Sequence, residues 1–132
     1  MPSMKTALIL LSALLLSGCS SLMGSKKEMA LDATLSTYQT AMRWGHWETL
    51  WSYRNAKASA LPALAFDNLR VTAYEVRQPP VPIREDRVLQ VVEIQYVLGD
   101  EQRLHKVFDK QEWRYDANAN LWSLYSPFPE LR

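Results

Sequence analysis

One cysteine, four isolated glycines and two histidines are all that this 132-residue chain offers to the chemistries that depend on them. A lone thiol at Cys19 closes no disulfide within the chain and supplies no cysteine-ligated metal centre. Gly18, Gly24, Gly45 and Gly99 lie too far apart for a phosphate-cradling loop or a strained nucleophile turn. His46 and His105 are distant in the chain and no ligand-spaced carboxylate motif accompanies them, so neither a metal nor another cofactor is expected. Charge of one sign is equally scarce. Lys and Arg number 15 against 14 Asp and Glu, and without a basic block a nucleic-acid partner is not expected. Long apolar runs are missing too: the longest, Ala7 to Leu16, rises only about 15 Å as a helix, half a bilayer's hydrocarbon core. What remains is one domain's worth of chain, 48% hydrophobic and 22% charged, a balance that packs a core.

The short apolar run has a different reading. Lys5 precedes it as a positive flank, and Leu16-Ser17-Gly18 sets small residues after it, the layout of a secretory leader covering residues 1–18. Leu16-Ser17-Gly18-Cys19 resembles the lipobox of bacterial lipoproteins. The resemblance implies that Cys19 is acylated and becomes the first mature residue, and Ser20 after it implies delivery to the outer membrane with the body in the periplasm. The alternative is an incidental thiol in an uncleaved leader. A thiol suits the task because it is nucleophilic and forms a stable thioether. Each acyl methylene then contributes about 0.8 kcal/mol of anchoring. Loss of the leader removes Lys5 alone among the charges, leaving basic and acidic side chains equal in number.

Residues 19–27 (CSSLMGSKK) show no apolar periodicity and read as a lipidated, flexible tether. From Glu28, Leu31, Leu35, Tyr38 and Met42 recur at helical spacing up to Trp44 and a stopping Gly45; Trp47, Leu50 and Trp51 continue as a short second helix to about Tyr53. Asn55 to Asp67 reads as loop. The period then becomes two: Leu69 to Arg77 is a strand, Pro79, Pro80 and Pro82 give an extended connection, and Arg87 to Leu98 is a long strand. A turn at Gly99-Asp100 leads to a strand over Gln102 to Tyr115, and Asp116 to Asn120 closes a hairpin onto Leu121 to Tyr125. Helices followed by an antiparallel meander give an α+β domain over residues 28–132. The aromatics crowd the helix junction (Trp44, Trp47, Trp51) and the last hairpin (Trp113, Trp122), which suits core packing before a ligand cage.

A long first helix, a short helix carrying Gly45-His46-Trp47-Glu48-Thr49-Leu50, long strands ending in Trp113 to Trp122 and the tail Ser126-Pro127-Phe128-Pro129 together resemble the NTF2-like, or cystatin-like, α+β cone. That family has a third helix and a short first strand, for which Asn55 to Asp67 leaves little room. The resemblance implies helices packed on a curved antiparallel sheet and a candidate pocket lined by Tyr96, His105, Asp109 and Trp113. It does not imply catalysis, since such folds host enzymes and binding modules alike. His105 and Asp109 lie about 13 Å apart along a regular strand, too far for an acid–base dyad, and are expected on a solvated outer face. In the long strand the even positions Val88, Val92, Ile94, Tyr96 and Leu98 suit the helix side. Yet Leu89, Val91 and Val97 make the odd face partly apolar too, through either a mid-strand bulge or a partner surface for an envelope protein or second copy. The expected role is a non-catalytic protein-binding or envelope assembly module anchored to the outer membrane; the alternative is a carrier or enzyme for a small apolar ligand in the cone.

Overall fold

The structure, a computed structural model, describes residues 19–54 and 66–132, with side chains from residue 26 onward. Two helices, α1 (Cys19–Trp44) and α2 (Trp47–Ser52), precede four strands, β1 (Leu69–Arg84), β2 (Arg87–Leu98), β3 (His105–Asp116) and β4 (Leu121–Leu124). The strands form one antiparallel sheet in sequential order, and α1 packs across one face. The α+β class and its helices-then-meander order are as the periodicity indicates.

Three stretches differ from the sequence reading. The supposed tether is the first part of α1. Its Leu, Met and Lys favour helix, and one Gly24 costs only about 1 kcal/mol against alanine. Lys27, at its end, is already docked: the Trp122 indole donates to its carbonyl (3.1 Å), and its ammonium bonds the Glu85 carbonyl. β1 does not stop at Arg77 but runs through the prolines to Arg84. As an edge strand it needs no donors on its outer side, and register shifts at Val76/Gln78, Gln78/Val81 and Pro82/Arg84 absorb the rest. β3 starts at His105 rather than Gln102. The bulges of the sheet lie on β1, whereas β2 pairs with β3 in unbroken register from Arg87↔Arg114 to Tyr96↔His105. A bulge within β2 therefore does not explain its two-sided apolar pattern. The Asn55 to Asp67 loop reading falls largely outside the described residues.

The junction of the helices rests on Gly45. Its φ of +68° is the left-handed conformation of a helix C′ residue, and the His46 N–H donates back to the Ala41 carbonyl (2.8 Å), a Schellman closure. Gly45→Ala is expected to lower stability by about 1–2 kcal/mol from that conformation alone, read as a fall in urea midpoint at unchanged slope. An unchanged midpoint would mean that the turn tolerates a side chain there.

Leu31, Leu35, Tyr38, Ala41 and Met42 of α1 meet Val71, Tyr74, Val88, Val92, Ile94, Tyr96, Trp113, Trp122 and Leu124 of the sheet. One end is closed by rings: Trp47 stacks on Phe66 (4.5 Å), and Phe128 of the proline-rich tail lies 5.4 Å from Trp51 and 5.6 Å from Phe66. The C-terminus is held as well, since the Tyr96 hydroxyl donates to the Arg132 carbonyl (2.7 Å) and accepts from its N–H (3.0 Å). Trp44 is the exception among the tryptophans. It is 73% exposed, not part of the core.

Candidate functional site

β3 aims its odd residues at α1, and this places Asp109 where the sequence reading did not. Val107, Asp109, Gln111, Trp113 and Tyr115 share one side of an unbroken strand, and Trp113 is fully buried, so Asp109 is carried inside with it. Only 3% of it is exposed. The expectation of a solvated outer-face position is thus overturned for Asp109. The parity it shares with Trp113 is the signal by which the sequence could have placed it. Gln90, missed in the sequence, enters by the same rule because it shares a side of β2 with Val88 and Val92.

These side chains form one buried polar cluster. Gln111 is its centre: its Nε2 donates to Asp109 Oδ2 (2.7 Å) and to the Tyr74 hydroxyl (3.1 Å). Its Oε1 accepts from Gln90 Nε2 (3.1 Å) and from the Trp113 indole (3.2 Å). Burial, opposed by the Gln111 hydrogen bond and the positive Arg54, pushes the Asp109 carboxyl up to about 6. Burial likewise raises the Tyr38 and Tyr74 phenols, with the Asp109 charge adding to both. The Tyr38 hydroxyl and two guanidinium nitrogens of Arg54 are buried without hydrogen-bond partners. Tyr38 meets Trp113 edge-to-face at 5.1 Å, and Tyr53 packs at 6.0 Å from both rings. A carboxyl with such a value has the proton affinity of a general acid or base, but only 3% of Asp109 is exposed.

The four pocket residues do not converge on one space. Tyr96 and His105 are cross-strand partners stacked at 5.2 Å at one end of the sheet, where His105 Nε2 lies 3.4 Å from Glu101 Oε2. Asp109 and Trp113 belong to the polar cluster further along β3. No hydrogen bond joins His105 to Asp109, in keeping with their separation along the strand. None of the four lines the cleft of about 420 Å³ that Trp44 and Gly45 form with the start of β1. Among the described residues no group of three or more His, Cys, Asp or Glu is arranged to hold a metal, and no helix is long and apolar enough to cross a membrane.

The opposite face of the sheet carries Leu89, Val91 and Val97, each half-buried, together with Phe108, which is 58% exposed, and the exposed Val81. Pairing puts Val81 beside Leu89 and Phe108 beside Glu93. Glu93 directly faces Glu75, an unfavourable juxtaposition that Arg77 resolves by reaching both carboxylates (2.7 and 3.0 Å). Gln95 (2.9 Å), Lys106 (3.1 Å) and Arg77 all bind Glu93 and hold its carboxyl down at about 2. Arg70, Arg77, Arg84, Arg87, Lys106, Lys110 and Arg114 outnumber Glu75, Glu93, Glu112 and Asp116 on this side, although the chain as a whole carries 15 basic against 14 acidic side chains.

No family model, curated protein sequence or solved structure matches the chain.

Proposed function

We propose that this is a lipid-anchored periplasmic module with an NTF2-like domain, held at the bacterial outer membrane through Cys19, that binds a protein on its outer sheet face and catalyses nothing. The observation that carries the reading is that face: an apolar centre of Leu89, Val91, Val97, Val81 and half-exposed Phe108, ringed by predominantly basic side chains, with no helix packed over it among the described residues. Such a surface suits a partner with an apolar patch rimmed by carboxylates. A non-catalytic role is supported by the burial of Asp109, which leaves its carboxyl almost no surface to offer a substrate.

The anchor and the face are connected mechanically. About 12 Å of helix separates Cys19 from Lys27, the residue clasped by Trp122. An acylated Cys19 therefore positions the domain through a helix rather than a slack tether. Both halves of the proposal are tested in intact cells with a photo-crosslinking amino acid at position 108 and, as control, at Asp32 on α1. The expected result is a discrete adduct from position 108 alone, with an envelope protein or a second copy, that disappears when Val91→Lys is added. In Cys19→Ala the chain is expected to persist as an unprocessed precursor and the adduct to be lost. Normal maturation of Cys19→Ala refutes the anchor; equal labelling from both positions, or none, refutes the face.

A further inference from the structure

Where the sheet ends in its two hairpins, the register lines up three arginines. Arg84 pairs with Arg87, and Arg87 pairs with Arg114, so the three stand side by side on β1, β2 and β3, with Ser123 of β4 next in the row. Directly opposed residues share one side of a sheet. Arg87 and Arg114 alternate with the buried Val88 and Trp113, which turns the row to the face opposite α1. Opposed Cα atoms lie about 5 Å apart, so three arginines are set within about 10 Å.

Like charges directly opposed destabilise a sheet. Elsewhere on this face the chain resolves such a contact itself, since Arg77 bridges Glu75 and Glu93. The arginine row has no equal remedy. Oε1 of Glu112 lies 2.8 Å from Arg114 and 3.9 Å from Arg87, so one carboxylate oxygen serves two guanidinium groups and draws them together. Asp86 stays 3.7 Å from Arg87 Nε, beyond hydrogen-bond reach, and that nitrogen is buried with no hydrogen-bond partner. Arg84 is exposed and forms no ion pair among the described residues. Arg114 is steadied by the Tyr125 ring, 4.1 Å from its guanidinium carbon, which fixes the plane of its fork.

We infer that this row binds a phosphate monoester. The complement that the chain does not supply is an anion of more than one charge. A phosphate monoester carries about −1.5 to −2 at neutral pH and three acceptor oxygens, enough to engage three guanidinium groups together. A carboxylate, with one charge and two oxygens, is matched by a single fork. Arg84 is open to such a ligand, and the side chains of Arg87 and Arg114 keep 29% and 33% of their surface in solvent. Apolar surface flanks the row on both sides: Val81 and Leu89 form the next outward pair of β1 and β2, and exposed Leu121 precedes Ser123 on the same side of β4. The site therefore suits a soluble ester or the headgroup of a lipid equally. It needs neither the anchor nor a protein partner, and stands if either fails.

The test is amide proton–nitrogen NMR of the full chain titrated with glycerol 3-phosphate, with acetate as the monocarboxylate control. Saturable shifts at Arg87, Arg114 and Ser123 are expected at millimolar ester, with acetate binding at least about tenfold more weakly. Arg84→Gln, at an exposed position, and Arg87→Lys, which keeps the charge but loses the fork, are each expected to weaken binding by about tenfold. Arg70→Gln makes the same change of charge at the other end of the face and is expected to leave the affinity unchanged. Sedimentation with phosphatidylcholine vesicles containing phosphatidic acid, but not phosphatidylglycerol, identifies the lipid as the source; binding of the soluble ester without sedimentation identifies a soluble one. No saturable shift below about 20 mM, an equal response to acetate, or a loss in Arg70→Gln as large as in Arg84→Gln overturns the inference.

Discussion

Trp113→Ala is expected to destabilise the domain by about 3–5 kcal/mol, the range for removing a large buried aromatic. The ring has no exposed surface and meets Tyr38 and Tyr53 edge-to-face, so nothing of comparable size is free to collapse into the space. Its loss also takes away a donor to Gln111 Oε1, which Gln90 alone would then satisfy. Against a typical total of 5–15 kcal/mol that is a large share of the stability. Trp113→Phe keeps most of the volume and removes the N–H, and about 1–3 kcal/mol of loss is expected there. Equilibrium urea unfolding reads both values. A loss below about 1 kcal/mol in the alanine variant, with cooperativity retained, would show that the rings do not support one another as described.

The helix spacing of Leu31, Leu35, Tyr38 and Met42, the stop at Gly45 and the period-two strands were legible because burial repeats with the backbone geometry. The prolines of β1 misled for a reason that local sequence cannot carry. Pro79, Pro80 and Pro82 are compatible with a strand only at an edge, and edge position is a property of the whole sheet. The same holds for residues 19–27: their polar composition hid a helix whose docking depends on Trp122 and Glu85, roughly sixty to ninety-five positions away.

The buried cluster was half-visible. Asp109 stood out as a titratable residue on a strand, but its polarity suggested solvent, whereas the alternation through Val107 and Trp113 required the interior. Gln90 and Gln111 carried no chemical signal at all, being amides in a chain read for acids, bases and nucleophiles. Strand pairing also decides the opposite face, where Leu89, Val91 and Val97 are joined by Phe108 from the neighbouring strand. The cleft at Trp44 was invisible for a third reason. Three tryptophans at the helix junction were grouped by proximity in sequence, and only the left-handed turn at Gly45 separates the outward Trp44 from Trp47 and its stacking on Phe66.

Asp109 makes the stability of the domain depend on pH in an unusual direction. Its carboxyl titrates near 6 when folded against an ordinary 3.8, so the folded state binds the proton more tightly than the unfolded chain does. Below about pH 4 both states are protonated and the group is neutral to stability. Between about 4 and 6 the unfolded chain releases its proton first, and stability falls as pH rises; above 6 the full penalty, about 3 kcal/mol, is present. Glu93 works the other way. Held at about 2 against an ordinary 4.5, it stabilises the fold above about pH 4.5, and that contribution is lost as pH falls toward 2. Stability is therefore expected to peak between about pH 4 and 5 and to decline toward neutrality. Asp109→Asn preserves an acceptor for Gln111 and removes the charge, so its stability should match the parent near pH 4 and exceed it at pH 7. The gain will be smaller than the full penalty, because Arg54 loses an attractive neighbour. Denaturant midpoints measured from pH 3 to 8 separate the two groups, since Glu93→Gln should flatten only the acid limb. A parent curve that is level from pH 4 to 7, or an Asp109→Asn curve parallel to it, would mean that the buried carboxyl is better compensated than its contacts indicate.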